Sequence, residues 1–391
     1  MSRRPRILFL CARYPYPPWR GDQVRAYHLI ACLAEHAEVR LVCVGRGSQP
    51  FPTPGVEVRN VQPSILGRVR ANFGTPAPAL PLQVRAFLDQ GMRRVVGEEI
   101  ERWQPDVLHV TLSRMAPYMT ARQPPHRHLD LVDSMGLNMR ARASSSTFPA
   151  RTVFALESLL VGRYEARVAR AADSVSVVAE LDRREAGLDG AAVVPNGVDA
   201  AAFPYREPDE RPPVALFFGN LGYFHNVEPA TFLATEVIGR VRRYHRDARL
   251  QLAGARPAAA VRRLARRAGV ELVADPPTMA PMLHGAAVAA IPMFSGSGMK
   301  NKVLEAFCAG TPVVANAAGI EGIREAVSGE HFVLAEGAEE MAKAISDLLG
   351  DPARRVRLAR AARAMVVDSY SWERQAVRMM AIYGLPVSAP G

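Results

Sequence analysis

A chain of 391 residues, 49% hydrophobic and 22% charged, can bury a large core and exceeds the length of one ordinary domain, so two domains are expected. No run approaches the roughly 18 to 20 apolar residues that span a bilayer, and the basic start Met-Ser-Arg-Arg-Pro-Arg leads only into the short apolar run Ile7 to Ala12; a cytoplasmic chain without a cleaved signal is the expectation. The net charge of +11 lies mainly in residues 1–195, which carry +8 against +3 for the remainder, a field suited to an anionic membrane face or a phosphorylated substrate, and with no zinc finger or RNA-binding aromatic signature beside it nucleic acid is set aside.

The first segment, Arg6 to Ala12, is a continuous apolar run of the kind buried on both faces of a parallel sheet. A turn-rich stretch, Tyr14 to Gly21, precedes a helix over Asp22 to Glu35 and a second strand over Glu38 to Val44, which makes a βαβ unit. Further strands are expected at Val56 to Val61, Asp106 to Val110, Leu129 to Val132 and Ser174 to Val178, with helices between them, notably Leu82 to Trp103. After Pro195-Asn-Gly-Val-Asp199 comes the Pro-rich, charged segment Pro204 to Pro213, which has the composition of a linker. A second alternating set follows, with strands at 214–218, 249–252, 270–273, 288–291, 312–315 and 331–333 and helices at 229–244, 258–268, 279–285, 302–309, 339–349 and 352–365. The class is therefore α/β, with a first domain over 1–195 and a second over 196–370. Cys11, Cys32, Cys43 and Cys308 show no metal-ligand spacing, so reduced, buried thiols and no metal site are expected.

In open α/β sheets ligands bind beyond the carboxyl ends of the strands, and three such loops stand out. Tyr14-Pro-Tyr-Pro-Pro-Trp-Arg-Gly-Asp22 lets Gly21 open a helix and bring its backbone to a phosphate or sugar; a stiff turn is the alternative. Phe217 to Asn226 contains Gly219, Asn220 and Gly222, which suit close backbone approach but also a plain loop. The third is Ser295-Gly-Ser-Gly-Met-Lys-Asn-Lys-Val-Leu-Glu-Ala-Phe307, which holds Lys300 and Lys302, two of only three lysines in the chain. Glycine N–H groups, compact ammonium charges and a helix N-terminus are the parts of a diphosphate site; the alternative is that Gly296 and Gly298 merely turn the chain and the lysines sit on a solvated face. Glu305, three residues after Lys302, shares its helix face and can accept the two vicinal hydroxyls of a ribose; the alternative is an intrahelical pair worth about 0.2 to 0.5 kcal/mol.

The order of Pro195-Asn-Gly-Val-Asp199, the Gly219 strand exit, Lys300-Asn-Lys-Val-Leu-Glu-Ala-Phe307 and Gly310-Thr-Pro-Val-Val314 resembles the retaining nucleotide-sugar glycosyltransferases of family 4. It looks closest to bacterial sugar transferases of exopolysaccharide systems, which share a proline-rich loop before a Gly-Asp helix start. The resemblance implies a GT-B fold, two Rossmann-like doubly wound lobes facing across a cleft, with the chain from Ser371 onward crossing back to the first lobe. It implies a donor site of Gly21, Gly219, Asn220, Gly296, Ser297, Gly298, Lys300, Asn301, Lys302 and Glu305, and His109, Lys302 and Asp133 as catalytic candidates. His109 ends the strand Asp106 to Val110 and could equally be a core histidine; Asp133 could equally be a turn or cap residue. Ser297 stands where the family has the first glutamate of Glu-x7-Glu, and Asn220 with His225-Asn226 stands where many members carry arginine and lysine. Lys300 and Lys302 would then be the main phosphate cations.

The implied reaction moves a sugar from a UDP- or GDP-linked donor, with no cofactor and no metal, to a saccharide or lipid-linked saccharide in polysaccharide or glycoconjugate biosynthesis. The basic, amphipathic stretch Pro63 to Trp103 either packs into a core or lies against an anionic membrane. The rival readings are a glycosyltransferase acting on a soluble aglycone or glycoside, a nucleotide-sugar epimerase on the same fold, and a catalytically inactive basic protein that binds membranes or polyanions.

Overall fold

The computed structural model describes residues 3–73, 80–119, 126–132, 134–144, 146–294 and 298–387, with the side chains of 70–73 left aside. The chain divides into two compact units, Met1–Asn196 with Trp372–Gly391, and Gly197–Ser371.

The first unit holds β1 (Arg6–Cys11), β2 (Glu38–Val44), β3 (Glu57–Val61), β4 (Val107–Thr111), β5 (His126–Asp130), β6 (Ser174–Val177) and β7 (Ala192–Val193) in one parallel sheet of order β3-β2-β1-β4-β5-β6-β7. β4 is buried along its whole length, as a strand covered on both faces must be. The second holds β8 (Val214–Phe218), β9 (Arg249–Gly254), β10 (Val270–Ala274), β11 (Val288–Ile291), β12 (Val313–Ala315) and β13 (Val333–Leu334), in a parallel sheet of order β10-β9-β8-β11-β12-β13. Counted within the unit this is the order 3-2-1-4-5-6 of a dinucleotide-binding sheet. Both units are thus Rossmann-like. Among the described residues no helix is long and apolar enough to cross a membrane.

Three expectations shift. The strand placed at Leu129 to Val132 runs instead over His126–Asp130, because its histidines find hydroxyl partners on β6: His126 Nε2 and His128 Nδ1 lie 2.7 and 2.8 Å from Ser174 Oγ, and His128 Nε2 lies 2.9 Å from Ser176 Oγ. The helix placed over Leu82 to Trp103 is broken; Asp89 caps a new helix, Gln90–Trp103, by accepting from Met92 N–H at 3.1 Å. Of its apolar stripe, Val84, Leu88, Val96 and Ile100 are buried, so these residues serve a core. The Pro-rich segment 204–213 is no free linker: Arg211 Nη1 donates to the carbonyls of Leu283 and Ala286, and Arg355 donates to those of Pro208 and Asp209.

The helix Trp372–Ile382 returns to the first unit, where Trp372, Ala376, Met379, Met380 and Tyr383 join the core of β1, β2 and the helix Gly21–His36. Beneath it lies a closed polar network. Arg25 Nε and Nη2 donate to Asp130 Oδ2 and Oδ1 at 2.7 and 3.1 Å, with both side chains at most 1% exposed, while Ser176 Oγ donates to the same carboxylate at 2.8 Å. Arg25 Nη1 also donates to Asn196 Oδ1 and the Pro195 carbonyl at 3.1 and 3.3 Å. Every polar group of this buried ion pair finds partners, the condition under which such a pair is tolerated.

His109 joins the network, its Nδ1 2.7 Å from the Tyr383 hydroxyl and its Nε2 3.8 Å from Asp130 Oδ2, with its ring stacked on Phe9 at 4.1 Å. Burial lowers its pKa to about 4 and that of His128 well below the usual value, whereas the Arg25 guanidinium offsets burial and holds Asp130 down at about 2. Between pH 6.5 and 4 the unfolded chain therefore takes up protons that the folded one refuses, so stability present at pH 7 is lost on acidification, by about 3 kcal/mol for His109 alone. Urea midpoints measured across this range should fall accordingly, and His109→Gln should lessen the slope. Arg25→Met strands the Asp130 charge and is expected to cost about 3 to 5 kcal/mol at pH 7 in the same assay.

Candidate functional site

The chain builds β8, β9 and β10 in one direction and then returns to place β11 on the other side of β8. The carboxyl ends of β8 and β11 therefore flank a topological switch point, where a parallel sheet leaves a crevice. Three segments meet there: the turn after β8, the loop after β11, and the start of the helix Asn301–Ala309.

The turn after β8 depends on two glycines. Gly219 has φ +139°, and a Cβ on it would sit 3.4 Å from Lys302 Nζ. Gly254, the last residue of β9, has φ +149°, and a Cβ there would lie 1.7 Å from the Gly219 carbonyl oxygen. Gly254 has no room for a side chain, and the backbone conformation of both positions is one that L side chains rarely adopt. Immediately beyond, the helix Phe224–Phe232 begins, five residues before the start expected at Pro229. A proline is favoured at a helix start because it lacks an N–H, but here Pro229 lies inside the helix, and the outcome is a helix N-terminus at the switch point.

Lys302 reaches into this crevice from the second position of its helix. Its Nζ donates to Asn226 Oδ1 at 2.7 Å, lies 4.3 Å from the centre of the Phe217 ring and touches Met293 Sδ at 3.9 Å. Burial lowers its pKa to about 7, with a smaller contribution from Lys300 and opposition from Glu305. Glu305, partly exposed one turn along the helix, has its pKa raised to about 7 by poorly solvated surroundings, with Lys302 opposing. The loop carrying Met293 is held by Asn316, whose Oδ1 accepts from Met293 N–H and whose Nδ2 donates to the Met293 carbonyl, at 2.9 and 2.8 Å. The result is an ammonium of lowered pKa with a carboxyl one turn further along its helix, near a second helix N-terminus: a site able to receive an anion and a diol.

The other expected residues fall differently. Lys300 turns back on its own loop, its Nζ donating to the Gly298 carbonyl at 2.9 Å. Asn301 opens the helix. Asn220 uses its side chain to accept from Gly222 N–H at 3.1 Å, and its carbonyl accepts from Asn226 Nδ2 at 2.9 Å, so it closes the turn. Gly21 opens its helix with room for a Cβ. Gly296, Ser297 and Asp133 lie outside the described residues. His109 is 1% exposed with its Nδ1 2.7 Å from the Tyr383 hydroxyl, the setting of the core histidine that was the alternative for it. Sequence reasoning treats Asn226 only as a place lacking a cation and does not single out Gly254, Met293 or Asn316. Gly254, at the end of an apolar strand, is the one among these with a readable signal. Among the described residues, no group of three or more His, Cys, Asp or Glu side chains is placed to hold a metal ion.

Residues 212–351 match the family model described as glycosyl transferases group 1. The chain is 28% identical over 402 residues to a glycogen synthase of Mycobacterium tuberculosis, a match covering 97% of this chain and 94% of that one. Its fold is that of the sucrose-phosphate synthase from Thermosynechococcus elongatus (TM-score 0.75, 17% identity, 98% of both chains). The Anabaena protein Alr3699/HepE, crystallised with UDP and glucose, shares it too (TM-score 0.69, 14% identity, 97% of this chain and 99% of that one).

The electrostatics of the crevice are open to direct measurement. Because the chain contains three lysines, labelling with 13C-lysine gives three sets of side-chain signals, and that of Lys302 is expected to titrate near pH 7. In Asn226→Ala, which removes the acceptor of that ammonium, the signal should move; a titration unaffected by this substitution would show that the low value arises elsewhere.

Proposed function

We propose that this chain is a retaining glycosyltransferase that moves a sugar from a nucleoside-diphosphate donor, UDP- or GDP-linked, to a saccharide or lipid-linked saccharide acceptor. The observation that carries the reading is the Lys302 ammonium at the β8–β11 switch point, bonded to Asn226 and followed one turn later by Glu305. The group 1 match across this unit supports it, as does a fold shared with a protein crystallised with UDP and glucose.

In this reading the diphosphate sits between Lys302 and the helix start at Phe224, and the ribose diol faces Glu305. The bond from the anomeric carbon to the β-phosphate oxygen breaks, the acceptor oxygen bonds to that carbon on the same face, and the acceptor hydroxyl proton passes to the departing phosphate. No carboxylate nucleophile is needed, so the work of the protein is to position the partners and stabilise charge on the leaving diphosphate. Lys302 is suited to this: burial lowers its pKa, and a phosphate facing it favours the charged form. Lys300, on the same loop, contributes positive potential.

Incubation with UDP- and GDP-sugars and a saccharide acceptor, with the anomeric configuration of the product read by NMR, tests the reading; inverted product, or donor turnover equal in Lys302→Ala and the parent, would sink it. Loss of the ammonium is expected to cost about 3 kcal/mol in kcat/KM. Activity should be bell-shaped about pH 7, since Glu305 must be ionised and Lys302 protonated. Lys302→Arg should extend activity to higher pH, and Glu305→Gln should abolish the preference for UDP over its 2′-deoxy analogue.

A further inference from the structure

Outside the donor crevice, the first unit contains a cavity of about 460 Å³ between the helices Met135–Ser144 and Ala150–Ala171. Arg140, Arg151 and Arg163 line it together with Ser144, Ser158 and Leu159. All three arginines are exposed, and among the described residues no carboxylate pairs with any of them. The acids of the longer helix are turned away and occupied. Glu157 is buried and accepts from Gln83 N–H at 3.1 Å. Glu165 is buried and accepts from Ser113, Ser134 and the N–H groups of Met135 and Gly136. Three positive charges thus share one concave surface without internal neutralisation, an arrangement that a phosphate satisfies through several charge-assisted hydrogen bonds.

The same helix exposes apolar side chains that a water-facing helix has no reason to carry. Val153, Leu156 and Leu159, three residues apart and therefore on one stripe, are 54%, 59% and 51% exposed, and Phe148 just before the helix is 83% exposed. A cationic cavity bordered by an uncovered apolar stripe matches one kind of molecule, an anion carrying a hydrocarbon chain.

We propose that this cavity and its stripe bind a phosphate-headed lipid, the phosphate held among Arg140, Arg151 and Arg163 and the chain laid along Val153, Leu156 and Leu159. The site is separate from the donor crevice, so its failure leaves the proposed reaction untouched. Bound there, a lipid would hold the first unit at a membrane surface, where an acceptor attached to lipid is found.

Co-sedimentation of the full chain with phosphatidylcholine vesicles, with and without phosphatidic acid, tests the proposal. Binding should require the anionic lipid and weaken on the order of 100-fold in Arg140→Ala/Arg151→Ala/Arg163→Ala, each arginine accounting for roughly fivefold. A control variant, Arg102→Ala/Arg170→Ala/Arg184→Ala, removes the same charge from other exposed positions and should bind nearly as the parent does. Leu156→Ser/Leu159→Ser should weaken vesicle binding while leaving the melting temperature unchanged. Equal loss in the two arginine variants would overturn the site in favour of general charge attraction. Displacement by glycerol phosphate at concentrations comparable to the lipid, with no effect of the leucine changes, would make it a site for a free anion and overturn the lipid assignment.

Discussion

One ammonium placed where water is scarce organises the second unit. A parallel sheet exposes the carboxyl ends of its strands only where the order of connection reverses, and there Lys302 stands over Phe217 with Asn226 as its acceptor. A fully charged lysine in such a place is costly unless an anion joins it. Burial is what lowers its pKa, with Glu305 opposing and Lys300 adding to the effect. The other features of the crevice follow: Gly219 and Gly254 bring two strand ends into backbone contact, the turn delivers a helix start beside the ammonium, and Asn316 fixes the loop opposite.

The first unit applies the same strand plan to another end. Its own switch point lies between β1 and β4, and the groups gathered there neutralise one another. Arg25 follows β1, His109 lies on β4, Asp130 ends β5, and Tyr383 arrives from the far end of the chain. Two sheets of one type therefore differ in what their charges meet. In one, an ammonium has a neutral amide as partner and remains available to an incoming anion; in the other, a bidentate ion pair is sealed by hydroxyls and imidazoles.

The division between arginine and lysine follows the same logic. Arginine keeps its charge in nearly any setting and offers donors in a planar fork, and this chain uses it as a structural brace: Arg211 gathers the carbonyls of Leu283 and Ala286, and Arg355 those of Leu348, Leu349, Pro208 and Asp209. Lysine is a compact charge whose protonation responds to its surroundings. It stands at the crevice, where a titrating cation has a chemical use, and otherwise only at Lys343, paired with Asp347 on the surface.

The sequence by itself determined the class of this fold, because fully buried parallel strands require continuous apolar runs and the helices between them require a different period. Val214–Phe218 and Val288–Ile291 are legible for that reason and coincide with the strands found. It also marked Lys302 and Glu305, since a rare residue type beside glycines at a helix start is a local pattern. What only the tertiary structure decided depends on partners distant in the chain. The helix beginning at Phe224 overrides the signal of Pro229, and the strand His126–Asp130 holds its histidines through hydroxyls some 46 to 48 residues away. His109 belongs to the core because Tyr383, 274 residues later, closes over it. Lys302 and Lys300, two residues apart, point to different acceptors because one meets Asn226, 76 residues away, and the other its own loop. Local spacing carries propensity and period; whether a polar side chain is satisfied inside or left to meet a ligand is settled by which distant groups the fold brings to it.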